Sequence, residues 1–295
     1  MKGKGTTFGA ITVVNAIAGG RGVTASVKLE TEATVELSSG PGDWQVFING
    51  TKQPESRLAI ETVNAVMRAA GRDPKAFSGE IRTVSRVPLG VGLKTSSASS
   101  CAIALALFAA IGQKAFDPKK IMNCSVEASL ASSASITGAM DDAASCLLGG
   151  LNLVDNLGRR VERSQLFKKT MKVLIKVPNV QSRRVALDLQ HLKMFGKIAE
   201  IPYKMSMEGD PWRAMTINGN LYSALLGYDP LPALLAIEHG ALGASLSGTG
   251  PATAAVFEPN MEKEFKALAE AWASDGSEVI ETETNNEHGR ILSLD

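Results

Sequence analysis

The sequence predicts an α+β fold in two domains, on three observations. The chain has 295 residues, and at roughly 100–200 residues per domain that length fits two domains. Strand-like and helix-like segments come in blocks, without a regular strand–helix alternation. A polar stretch at 156–169 separates an earlier set of elements from a later one, which sets the domains at 1–160 and 161–295.

The elements follow in order. Residues 8–18 and 23–29 read as strands on either side of the turn Gly19-Gly20-Arg21-Gly22, and 33–37 and 44–48 continue the pattern. The spacing over 56–70 predicts a helix stopped at Gly71. Residues 80–87 return to strand, a Gly-rich loop fills 88–96, and a small-residue helix runs to about 111. Asp117-Pro118 opens the next helix, with Asp as cap and Pro in the first turn, and it ends near 131. Residues 147–154 look like the last strand before the boundary. Beyond it come a strand at 171–177, helices over 182–199, 211–228 and 231–240, a strand–loop–strand unit over 242–258, a helix at 260–274 and a final strand at 277–284. There is no internal repeat and no low-complexity tract.

Composition removes several function classes. Lys plus Arg number 31 against 30 Asp plus Glu, a net charge of +1, which lacks the basic excess of a nucleic-acid binder. The longest apolar stretch, 98–111, falls short of the ~20 residues of a membrane span. The N-terminus has no hydrophobic block with a cleavage site. A soluble, cytoplasmic protein is the expectation. Cys101, Cys124 and Cys146 show no metal or redox spacing and read as small buried hydrophobes. The three histidines lie too far apart in sequence to suggest a zinc site.

Three loops carry chemistry. The first is Pro88-Leu89-Gly90-Val91-Gly92-Leu93-Lys94-Thr95-Ser96-Ser97-Ala98, where a strand ends, glycines free the backbone and hydroxyl residues open a helix. The first turn of a helix leaves N–H groups unbonded at its positive end, which suits phosphate. Lys94 adds a cation. A Walker loop would need glycines at 88 and 93, where Pro and Leu stand. Serines that simply cap a buried helix remain the other reading. The second loop is Ser247-Gly248-Thr249-Gly250-Pro251, either a plain turn or a backbone that approaches a ligand or supports the first loop. It is not a dinucleotide fingerprint, since Thr253 holds the third glycine position. The third is Thr137-Gly138-Ala139-Met140-Asp141-Asp142, two adjacent acids in a nearly uncharged stretch, either an Asx-type turn or helix cap, or carboxylates that are buried because they are paired or bind a metal.

Together these loops resemble the motifs of the GHMP kinase superfamily. Its P-x-x-x-G-L-G-S-S-A-A motif compares with residues 88–97, its G-x-M-D segment with Gly138 to Asp141, and its last Gly-rich loop with Gly248 to Pro251. Its V-N-L-x-G core is echoed by Val14-Asn15-Ala16-Ile17-Ala18-Gly19. Lys94 and Asp142 give a narrower similarity to archaeal-type shikimate kinases; homoserine and mevalonate kinases are the nearest competitors.

The resemblance implies an N-terminal ribosomal-protein-like domain and a C-terminal ferredoxin-like domain with the site in the cleft. It implies ATP over 88–98, Mg²⁺ on Ser96 and Glu127, and Asp141 as the group that takes the acceptor's proton. The acceptor would be shikimate, a small molecule, with Asn15, Asp142, Gly248, Thr249 and Gly250 near it. Its carboxylate calls for an arginine, with Arg183, Arg184 and Arg21 as candidates. One departure stands out: the lysine expected near the start of the N-terminal motif is absent from 10–12, and Lys94 is the candidate substitute. A non-catalytic metabolite sensor built on the same frame is the alternative of another class.

Overall fold

A computed structural model describes residues 1–40, 42–113, 117–179 and 188–294. Strand β1 (Lys2–Val14) and the long β2 (Arg21–Ser39) form an antiparallel ribbon, with a register shift at Phe8/Gly9. The expected break between 29 and 33 does not occur. Alternating burial carries β2 through Glu30-Thr31-Glu32, and the strand changes partner instead of ending. Strands β3 (Trp44–Ile48) and β4 (Thr51–Lys52) precede α1 (Arg57–Ala69), and β5 (Phe77–Ser85) pairs with the far half of β2.

Helix α2 (Thr95–Ala110) is buried on almost every side and lies against β1. Helix α3 (Pro118–Ala131) starts at the Asp117 cap, whose carboxylate accepts the Lys120 N–H. Helix α4 (Met140–Leu148) starts at the acid pair, so of the turn and helix-cap readings the structure favours a helix start, with Met140, Ala143, Ala144 and Leu147 buried along one face. Strand β6 (Leu151–Asp155) pairs with the near half of β2 and with β7 (Arg160–Gln165). The polar stretch 156–169 therefore contains a strand of the first sheet, and position 160 lies inside it.

The rest of the chain is β8 (Lys172–Val177), α5 (Leu189–Met194), α6 (Gly196–Met207), α7 (Pro211–Leu226), α8 (Leu231–Glu238), β9 (Gly243–Leu246), β10 (Thr253–Phe257), α9 (Glu262–Ala273) and β11 (Glu278–Glu283). Strands β8 to β11 make a second, wholly antiparallel sheet in the order β11-β8-β10-β9, the split β-α-β-β-α-β arrangement. The last strand, β12 (Arg290–Leu294), returns to pair with β1.

The molecule is thus an α+β protein with two sheet-containing domains. One apolar cluster takes Ile11, Val13 and Val23 from the first sheet and Val173, Ile175 and Val256 from the second, so the two sheets share a core. Among the described residues no helix is long and apolar enough to cross a membrane.

The close approach of β1 to α2 sets the height of the helix that opens the Gly-rich loop's far end. A Cβ at Gly3 would lie 2.1 Å from the Ala106 carbonyl oxygen, backbone that cannot swing aside. Gly3→Ala should therefore destabilise the protein by about 1–3 kcal/mol, the range for an overpacked core, read as a lower denaturation midpoint. An unchanged midpoint would show that the helix can lift without cost.

Candidate active site

The Gly-rich loop after β5 is closed by its own first hydroxyl: Thr95 donates to the Pro88 carbonyl at 2.6 Å. Lys94 caps α2 in the left-handed region (φ 66°), with no side-chain cap bond. The first bond of the helix is Ala98 N–H to Lys94 C=O, so the N–H groups of residues 95–97 have no acceptor within the helix. Residues 95–97 line a cavity of about 440 Å³, the size of a small-molecule site. Ser96 is exposed there, while Leu93 and Ala98 are fully buried and shape the loop from behind.

The loop 247–250 interlocks with this one. The Ser247 hydroxyl donates to the Gly92 carbonyl at 2.8 Å and accepts the Thr12 N–H at 3.2 Å. The Gly248 N–H donates to the Thr12 hydroxyl at 2.7 Å. Gly92 has φ 91°, and a Cβ there would lie 2.0 Å from the Ser247 carbonyl oxygen, so only glycine fits. Asn15 completes the lacing: its Nδ2 donates to the Gly248 carbonyl at 2.7 Å and its Oδ1 accepts the Ile17 N–H at 2.9 Å. Its backbone N–H is held by Asn218 of α7 at 2.9 Å. Asn15, Gly248 and Thr249 line the cavity; Gly250 is buried against Tyr228 behind it.

The acid pair opens α4 on the opposite wall. Asp141 is 5% exposed. Its backbone N–H donates to Asn156 Oδ1 at 3.1 Å, and its carbonyl accepts the Thr24 hydroxyl at 2.7 Å. Its carboxyl packs on Gly22, where a Cβ would lie 2.0 Å from Oδ2. Burial, and next the Asp142 charge, push its pKa up to about 7, against the opposing pull of Lys94. Asp142 makes an ion pair with Lys94, Nζ to Oδ1 3.0 Å, and the Lys94 side chain is only 8% exposed. The Gly-rich loop and the acid pair are thereby tied across one cavity.

Other expected site residues lie elsewhere. Glu127 is exposed on α3 and does not reach the cavity. At 100° per residue it lies about 200° around the helix from Ser125 and Ser129, and it is Ser129 that lines the cavity. The structure thus does not bring Glu127 together with Ser96 in the cavity lining. Arg21 is 43% exposed, with Glu200 at 3.5 Å, Glu162 at 4.0 Å and the Tyr203 ring beneath it, outside the cavity lining. Arg183 and Arg184 lie outside the described residues. The three cysteines are buried, and burial pushes the Cys101 and Cys124 thiols up to about 12. Sequence reasoning missed Gly22, Thr24 and Asn156 as supports of Asp141. Only the Gly-rich turn leading into β2 offered a local signal, for Gly22; the other two act through hydrogen bonds to a helix distant in sequence.

Comparison with known proteins agrees with this geometry. The family profile described as GHMP kinases N terminal domain matches residues 57–150. A shikimate kinase of Methanosarcina acetivorans is 37% identical over 97% of this chain and 95% of its own length. One of Pyrococcus furiosus is 32% identical over 95% and 98%. Among solved structures, a homoserine kinase from Cytophaga hutchinsonii superposes with a TM-score of 0.72 at 22% identity, covering 99% of this chain and 98% of that one. The Methanococcus jannaschii mevalonate kinase gives 0.72 at 13%, covering 96% and 98%. With the phosphate-type loop, the buried acid and the two-sheet frame in place, the chain belongs to the GHMP kinase superfamily.

Proposed function

We propose that this protein is a shikimate kinase, transferring the γ-phosphoryl group of ATP to the 3-hydroxyl of shikimate. The observation that carries the reading is the single cavity where unbonded N–H groups of α2 face a buried carboxyl on α4. The choice of shikimate is supported by the relatives that bear that name over nearly the whole chain. The homoserine and mevalonate kinases share the fold at identities of 22% and 13%.

Phosphoryl transfer depends on positioning and on neutralising charge. The loop 88–98 and the first turn of α2 would hold the triphosphate. Among the described residues no three His, Cys, Asp or Glu side chains cluster. A magnesium ion would therefore take its oxygens from phosphate, water and the Ser96 hydroxyl, a hard and partly hydrated set that suits it. Such an ion would neutralise phosphate charge. Lys94, reaching across from the loop, would supply the cation missing from residues 10–12. Asp141, already biased toward carrying a proton at neutral pH, would take the hydrogen of the attacking hydroxyl as the O–P bond forms and ADP leaves. Asp142 and Asn15 would meet ring hydroxyls, Gly248 and Thr249 would form the backbone wall beside them with Gly250 supporting it from behind, and Arg183 is assigned the acceptor's carboxylate.

ADP release should be seen with shikimate and not with homoserine or mevalonate. Turnover with one of the latter alone would overturn the acceptor and keep the superfamily activity. No release with any acceptor, joined to tight binding of one of them, would favour a sensor. Asp141→Asn should lower kcat at least ~10²-fold while ATP still binds. The base must be ionised to accept a proton, so wild-type kcat/KM should fall as pH drops through about 7. Near wild-type turnover in the variant, or a flat acid limb, would remove Asp141 from the chemistry.

A further inference from the structure

We infer that Asn156 is a positioning residue for Asp141: one atom of its amide fixes the start of α4, and the other is reserved for the ionised carboxylate. The inference rests on the kinase reading of the site and names a residue that reading does not use.

Asn156 follows β6 and is 3% exposed. Its backbone N–H donates to the Gly20 carbonyl at 2.9 Å, which ties it to the turn before β2. Its Oδ1 accepts the Asp141 N–H at 3.1 Å. That bond settles which way the amide faces, because the reverse orientation would set two donors against each other. Nδ2 is then left inside the protein with two hydrogens. Among the described residues it is one of two buried side-chain nitrogen or oxygen atoms with no hydrogen-bond partner. The other is Asn152 Oδ1, on a side chain whose Nδ2 already bonds Ser145 at 3.0 Å and Gly149 at 2.8 Å. A spare acceptor is tolerated more often than an orphaned donor. An orphaned donor beside a functional acid asks for a reason.

The reason lies in what the neighbouring acid becomes. A protonated carboxyl is part donor, whereas an ionised one is acceptor only, with room for several bonds. Nδ2 therefore gains its best partner when Asp141 loses its proton. Burial and then the Asp142 charge raise the Asp141 pKa, and Lys94 and the Asn156 amide pull it back, the amide lying beside the carboxyl without meeting hydrogen-bond geometry. The charged groups facing Asp141 are Asp142, beside it on α4, and Lys94, from the Gly-rich loop; Gly22 of β2 brings no charge. Asn156 thus stabilises the proton-accepting state from the protein side of the carboxyl, leaving the cavity side open to an acceptor hydroxyl. Its bond to the Asp141 N–H also keeps the acid from rotating away with the end of the helix.

The test is a carboxyl titration of the full chain, labelled with ¹³C-aspartate and followed by NMR. Asp141→Asn identifies the resonance. Asn156→Leu, close in volume, should raise the proton affinity of Asp141 about tenfold, one unit in midpoint. Asn156→Ala serves as a second variant, and thermal melting verifies that each is folded. A wild-type midpoint in a folded variant overturns the proposal; so does failure of both variants to fold, which would assign Asn156 a purely architectural role. The readout is independent of turnover. A shifted midpoint in a protein that transfers no phosphoryl group would sink the kinase reading and leave this one. Transfer with an unmoved midpoint would do the reverse.

Discussion

A carboxyl group withdrawn from water beside a second acid is the constraint around which this protein is organised. Asp141 is 5% exposed, and the cation nearby among the described residues, Lys94, is already paired with Asp142. Burial penalises the charged form, and the adjacent Asp142 penalises it further. The site tolerates this because Asp141 stands in the first turn of α4, which begins at Met140 and whose dipole favours negative charge there. The backbone around the acid is held from three sides by Gly22, Thr24 and Asn156. A carboxyl poised near neutrality in a closed wall is suited to taking a proton from an alcohol that enters the same cavity.

The opposite wall depends on backbone contact rather than on charge. Two Gly-rich loops, 150 residues apart in sequence, are fitted into each other so closely that Gly92 cannot bear a side chain. Thr12 in β1 and Asn15 just after it both bond the second loop. The shared core beneath, with Ile11 and Val13 against Val173 and Val256, makes the two sheets one support. Phosphate-type donors and the acid are thus held at a fixed separation by packing that involves neither of them.

Much of this was legible in the sequence, and the exceptions have physical reasons. Apolar runs bounded by Gly and Pro located β3, α1, α2, α3 and most of the second sheet, because those elements bury a face in a local pattern. Helix α4 was not read as an element of its own because it is short, and the acids at its start read as a turn or a helix cap. Strand β7 was hidden because it is polar and largely exposed, stabilised by pairing with β6 alone. The Gly-rich loops, Lys94 and the acid pair were visible as motifs. Glu127 falls outside the cavity lining, since a motif gives spacing along the chain and not the face of the helix. Asn156 and Thr24 were invisible because their partner lies on helix α4, and no local pattern encodes a contact between distant elements.

The most direct test is a crystal structure with magnesium, a non-hydrolysable ATP analogue and shikimate bound together. The account predicts terminal phosphate oxygens on the N–H groups of residues 95–97 and an acceptor hydroxyl about 2.6–3.2 Å from the Asp141 carboxylate. Triphosphate bound away from α2, or an acceptor with no hydroxyl facing Asp141, would contradict it.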